Sequence, residues 1–188
     1  MSGRFALDAL PWQAWKNGAG RTREIAVEPP GAGLDDFGWR VSVAEVAADA
    51  PFSVYPGVER CITLMQGAGM LLRSDDGRTE HQLDRPLQPW HFDGTMPLQA
   101  HLIGGPCLDF NLMTRRGRWQ GEVQCLVAPS RLPGADALLV LAVDGEAQIA
   151  GDTLRRGEGC VWRTPVADLA VSGRATLLAV RLRRLSNE

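Results

Sequence analysis

Short apolar or alternating runs, each cut off by a glycine or proline turn, recur along most of this chain and leave room for little besides antiparallel β-structure. Residues Trp39 to Val46 set Trp39, Val41, Val43 and Glu45 on one face and Arg40, Ser42, Ala44 and Val46 on the other, the two-residue period of a strand. Cys61 to Met65, Gly69 to Arg73, Leu98 to Ile103, Leu108 to Met113, Leu138 to Val143, Ala147 to Ile149, Cys160 to Arg163 and Ala175 to Arg183 read the same way. Turn clusters stand between them, among them Pro56-Gly57, Asp75-Asp76-Gly77, Gly104-Gly105-Pro106, Asp144-Gly145 and Gly157-Glu158-Gly159. The 21 glycines and 12 prolines are spread out rather than gathered into a linker, so the expected class is all-β with few short helices.

A weak internal repeat points to two fused halves. Leu64-Met65-Gln66-Gly67-Ala68-Gly69-Met70-Leu71 lays over Ala142-Val143-Asp144-Gly145-Glu146-Ala147-Gln148-Ile149 as strand, glycine turn, strand. The join is expected near Arg116 to Gln120, giving an N-terminal half over residues 1–118 and a smaller, tightly packed C-terminal half over 119–188. This pattern resembles the cupin barrel, a double-stranded β-helix, so a bicupin is expected.

Composition narrows the function classes. With 45% hydrophobic and 22% charged residues the chain reads as globular, and a net charge of −2 gives nucleic acid no electrostatic footing. Residues Met1 to Leu10 lack the pattern of a secretory signal, and no apolar stretch is long enough for a membrane span. Cys61, Cys107, Cys125 and Cys160 have no close spacing, which favours reduced, buried thiols and a cytoplasmic setting over a disulfide framework or zinc. His81, His91 and His101 stand alone at ten-residue intervals, where neither strand nor helix period gathers them. No metal or other cofactor is expected.

One compositional departure is sharper. Of 20 basic side chains only Lys16 is a lysine, and it sits in Trp15-Lys16-Asn17-Gly18-Ala19-Gly20-Arg21-Thr22-Arg23-Glu24-Ile25. Lysine brings a compact point charge whose pKa can fall on burial. Together with Trp39 to Val46, Phe52-Ser53-Val54-Tyr55-Pro56-Gly57, Arg60 and Asp109-Phe110-Asn111-Leu112-Met113, this segment resembles the HutD/Ves family, with the blocks in the family's order over most of residues 12 to 115. The family usually has three glycines where this chain reads Gly18-Ala19-Gly20, a change that costs backbone strain only if the middle position needs a positive φ.

The resemblance implies a bacterial cytoplasmic bicupin without the usual cupin metal ligands, tied to histidine utilisation. It further implies a metal-free small-molecule binder that restrains or tunes the pathway, with urocanate or formylglutamate-like intermediates as ligands. Such molecules carry carboxylates, which arginine grips in a planar fork and lysine as a point charge. The expected ligand-binding set is Lys16, Asn17, Thr22, Glu24, Arg40, Ser42, Glu45, Arg60 and Asn111. Asp109 shares the Asn111 face, and Trp15 and Trp39 could wall a planar ligand.

The alternation alone leaves it open whether Arg40 and Ser42 face a lumen or water. Arg60 reads as a rim residue or a buried ion-pair member, with Glu24 and Glu45 as candidate partners for the cations. Two other functions stand beside binding. One is an enzyme, a hydrolase or isomerase using Lys16 or Glu24, against which the lack of a recognisable nucleophile and base weighs. The other is a protein-interaction scaffold. A homodimer is compatible with the sequence.

Overall fold

The computed structural model describes residues 3–186, and over them the chain is almost entirely antiparallel strand. Its only helical turn among the described residues is a 3-10 turn at Leu7–Ala9, and no helix there is long and apolar enough to cross a membrane. The backbone clusters into two compact units, Pro11–Arg116 and a second one joining Met1–Leu10 to Gly117–Glu188.

The unit over Pro11–Arg116 has two sheets. One runs β2 (Gln13–Ala14), β3 (Gly20–Glu28), β4 (Trp39–Val46), β11 (Cys107–Arg115), β6 (Val58–Gln66), β9 (Pro89–Asp93). The other runs β5 (Ala50–Pro51), β10 (Leu98–Leu102), β7 (Met70–Ser74), β8 (Glu80–Leu83). Ile62 and Leu64 from the first meet Met70, Leu72, Leu83, Leu98 and Ala100 from the second in one buried cluster. Burying side chains of this size contributes roughly 1.5–3 kcal/mol each, which holds two sheets that are individually only marginal.

The second unit is one sheet in the order β1 (Gly3–Ala6), β16 (Glu158–Trp162), β14 (Ala137–Ile149), β17 (Leu169–Arg184), β12 (Trp119–Val127). The short strands β13 (Ser130–Leu132) and β15 (Asp152–Arg155) pair with β17 and β14. Its core gathers Leu138, Val140, Ile149, Leu154, Trp162, Val171 and Leu177.

Three sequence expectations change. Residues 3–6 do not belong with the N-terminal half, because β1 pairs Gly3 to Ala6 with Val161 to Glu158 of β16. The supposed second hairpin at Asp144-Gly145 is a bulge inside the unbroken β14, whose register against β17 shifts between Ala142 and Asp144. Gly145 has φ +74 and its missing Cβ would lie 2.1 Å from the Arg174 carbonyl oxygen, so glycine here lets a bulged strand stay on its ladder instead of turning the chain. Cys125 is exposed on β12, whereas Cys61, Cys107 and Cys160 are buried as expected.

Candidate functional site

The register of the larger sheet of the Pro11–Arg116 unit decides which side chains share its concave face. Across β3, β4, β11 and β6, one row is Thr22, Ala44, Asp109, Leu64; the next is Glu24, Ser42, Asn111, Ile62; the third is Val27, Arg40, Met113, Arg60. All twelve lie on one face: a bulge at Glu24/Ala26 brings Val27 into phase with Thr22 and Glu24, and the slip at Leu108/Asp109 falls just outside the rows. The Arg40 and Ser42 face is therefore the lumen face, which settles the alternative that the alternation left open. A cavity of about 610 Å³ opens over these rows, all of it within this unit.

Arg60 lies at its buried end, only 9% exposed. It donates from one terminal nitrogen to the Ser53 carbonyl at 3.2 Å and from the other, at a long 3.4 Å, to Asn111 Oδ1. Phe52, Tyr55 and Phe92 surround the guanidinium, with ring centres 5.3, 5.6 and 4.9 Å from its central carbon. Cation–π contacts of this kind stabilise a cation by about 0.5–2 kcal/mol apiece and so offset part of the several kcal/mol that removing it from water costs. Burial pulls the guanidinium down to about 10, against the opposing pull of Tyr55 and Asp109, so it stays charged at neutral pH. Among the described residues no carboxylate comes within ion-pair distance of it, and its Nε has no hydrogen-bond partner. It is thus neither a rim residue nor half of an ion pair.

Next to it on β11, Asp109 is 1% exposed. Asn111 Nδ2 donates to Asp109 Oδ1, while Oδ2 has no partner. Burial pushes this carboxyl up to about 7, with the Asn111 bond and the Arg60 charge holding it back from rising further. Arg60, Asn111 and Asp109 form a continuous polar chain along the cavity.

The outer wall comes from the glycine motif. Trp15 Nε1 donates to Thr22 Oγ1 at 2.7 Å, and the indole lies against Gly20, whose absent Cβ would meet the Glu45 carbonyl oxygen at 2.4 Å and the Trp15 ring at 2.9 Å. Asn17 turns inward on its own loop, accepting from the Ala19 N–H at 3.1 Å. Gly18 takes φ +72, whereas Ala19 is absent from the positive-φ residues, so the change from the family's middle glycine carries no strain. Lys16 lines the cavity from the exposed side of this loop.

Seven of the nine expected residues, Lys16, Asn17, Thr22, Arg40, Ser42, Arg60 and Asn111, line the cavity. Glu24 and Glu45 do not. Glu24 accepts from Arg40 Nε at 2.7 Å and so fixes a lining guanidinium from behind. Glu45 points to the other face of β4 and pairs with Arg21 at 2.8 Å. Trp39 also lies on that opposite face and does not wall the cavity, whereas Trp15 does. Phe52, Ser53 and Tyr55 were legible only as a family block, and Asp109 only as a neighbour of Asn111; a carboxylate two residues from an asparagine within an apolar strand was the available signal. The histidines go elsewhere: His81 stacks on Trp90 at 4.2 Å, His101 Nδ1 sits 3.0 Å from Asp49, and His91 is exposed. Among the described residues no three His, Cys, Asp or Glu side chains are grouped to hold a metal ion.

Comparison with known proteins gives four findings. The family model described as HutD matches residues 8–179. The structure of HutD from Pseudomonas fluorescens SBW25, in a formate condition, is 33% identical, with a TM-score of 0.87 over 99% of this chain and 100% of that one. A conserved protein of unknown function from Pseudomonas aeruginosa PAO1 is 31% identical, with a TM-score of 0.83 over 97% of this chain and 99% of that one. A more distant likeness, to oxalate decarboxylase from Lactobacillus farciminis, has 8% identity and a TM-score of 0.64 over 97% and 86% of the two chains, and concerns the fold alone. That fold is cupin-like.

Proposed function

The chain belongs to the HutD family, and from that premise we propose that it is a small-molecule-binding protein whose cavity takes a carboxylated metabolite of histidine utilisation and thereby tunes that pathway in the cytoplasm. The observation that carries this reading is Arg60, a buried cation without a carboxylate partner at the inner end of an open cavity. Leaving a buried charge unpaired costs several kcal/mol, and a carboxylate ligand offsets that cost by completing the missing ion pair. Arg40, already oriented by Glu24, and Lys16 at the exposed edge add positive charge along the same cavity. Trp15 and Phe52 offer flat apolar walls to the body of the ligand, and the volume suits a molecule of metabolite size. Urocanate and formylglutamate both meet these demands.

Ligand-dependent melting tests the reading. A ligand that binds only the folded chain stabilises it by about 2.7 kcal/mol at a hundredfold excess over Kd. For a chain of this size that is a rise of roughly 5–10 °C in Tm. Urocanate or formylglutamate is expected to produce such a rise, and an uncharged amide of either should not. Superimposable melting curves with both acids at millimolar concentration would retire the proposal.

A further inference from the structure

We propose that Asp109 is a proton-carrying contact of the cavity: a bound carboxylate is met by Arg60 on one side and by the protonated Oδ2 of Asp109 on the other, so the site takes up a proton as the anion enters. The inference rests on the carboxylate-binding reading of this cavity. It starts from two buried polar atoms that the fold leaves without partners, Arg60 Nε and Asp109 Oδ2, on two side chains that Asn111 bridges. Buried polar atoms are nearly always satisfied, so two of them within one cavity mark the position of a group that comes from outside. Asn111 fixes the division of labour. Because its amide nitrogen donates to Asp109 Oδ1, a proton on Asp109 resides on Oδ2, the oxygen left without a partner.

The electrostatics run in the same direction. With the cavity empty, the Arg60 charge helps keep Asp109 ionised, and the carboxyl stands at about 7. An anion in contact with Arg60 cancels that help and adds a like charge beside Asp109, both of which favour the protonated acid. The neutral acid then donates a hydrogen bond to the same anion. Other charged or titratable groups around Asp109 are Arg40 on β4 with its partner Glu24 on β3, Tyr55 in the segment before β6, Lys16 in the glycine loop, and Cys107 on β11 itself. Cys107 is pushed up to about 12 by burial, with the Asp109 charge adding to the rise, and stays a neutral thiol.

The sign of the pH dependence follows. Below pH 7 the empty site already holds the proton and affinity is flat. Above it the empty site has lost the proton while the liganded site keeps it, so the Kd rises by up to tenfold per pH unit. Formylglutamate is the main probe and formate the minimal one, since neither has a group that titrates between about pH 6 and 9. Titration calorimetry from pH 6 to 9, repeated at pH 8 in two buffers of different ionisation enthalpy, is expected to show that rise and an uptake approaching one proton per ligand. Asp109→Asn cannot titrate, and its affinity should be level across the range and tighter than wild type at pH 9. Carbonyl-carbon NMR of Asp109 in the empty wild-type protein gives a reading that needs no variant, a titration near neutrality that moves upward on saturation with formylglutamate. Binding with a Kd constant from pH 6 to 9, or a slope that survives in Asp109→Asn, would overturn the proton-carrying role and leave the carboxylate reading intact. No binding of either probe at any pH would overturn both.

Discussion

Arg60→Met is expected to abolish the binding of carboxylates while leaving the empty protein as stable as before or more so. The two effects separate because they arise from different states. In the liganded state the substitution removes one member of a buried, hydrogen-bonded charge pair, a loss of about 2–5 kcal/mol, or at least about thirtyfold in Kd. In the empty state it removes a desolvated cation that has only the Ser53 carbonyl and a long bond to Asn111 for hydrogen bonding. Methionine fills a similar volume among Phe52, Tyr55 and Phe92 and favours sulfur–aromatic contacts. Replacing a buried ionic group with a well-packed apolar one is commonly neutral or stabilising by about 1–4 kcal/mol. Melting with and without formylglutamate reads both quantities at once. A variant that binds within threefold of wild type would remove Arg60 from the site, and one that melts well below wild type would make it a structural strut instead.

A large loss of stability, coupled to the site, is expected at Gly20→Ala. Its new Cβ would stand 2.4 Å from the Glu45 carbonyl oxygen and 2.9 Å from the Trp15 ring. The first neighbour is backbone of the adjacent strand and cannot swing away, so β3 must shift from β4 or the indole must leave its bond to Thr22. A cost of about 3 kcal/mol, near 6–12 °C in Tm, is expected, with carboxylate affinity falling as Trp15 and Lys16 lose their places. Gly18→Ala is the internal control: it has open space and only the φ of +72 to resist it, so about 1 kcal/mol should suffice. Equal Tm values for the two variants would contradict the steric account.

Different parts of this molecule were legible in its sequence for different reasons. Strands with one clean apolar face, such as Trp39–Val46 and Cys107–Arg115, announce themselves by alternation. β3 does not, since Arg21, Arg23 and Glu24 crowd its first half and its register is repaired by a bulge that no local pattern encodes. β1 was lost for another reason: its partner, β16, lies more than a hundred residues away, and pairing at that distance leaves no local trace. Gly145 shows the limit of turn chemistry, because a glycine at positive φ serves a sheet-to-sheet turn at Gly67, between β6 and β7, and a place beside a bulge in mid-strand at Gly145.

The site divides in the same manner. Sequence alone brought together the residue types that grip a carboxylate, and the order of its blocks placed them in a known family. Period-two alternation put Arg40 with Ser42 and Asp109 with Asn111, since parity along a strand is a local property. Whether those faces met in one cavity, whether Glu24 served the ligand or the Arg40 guanidinium, and whether Arg60 had a partner were decided by the pairing of four strands in space. The same pairing turned Asp109 from an inward-facing neighbour into a buried acid near neutrality, because desolvation and the Arg60 charge depend on distances that only the folded sheet creates.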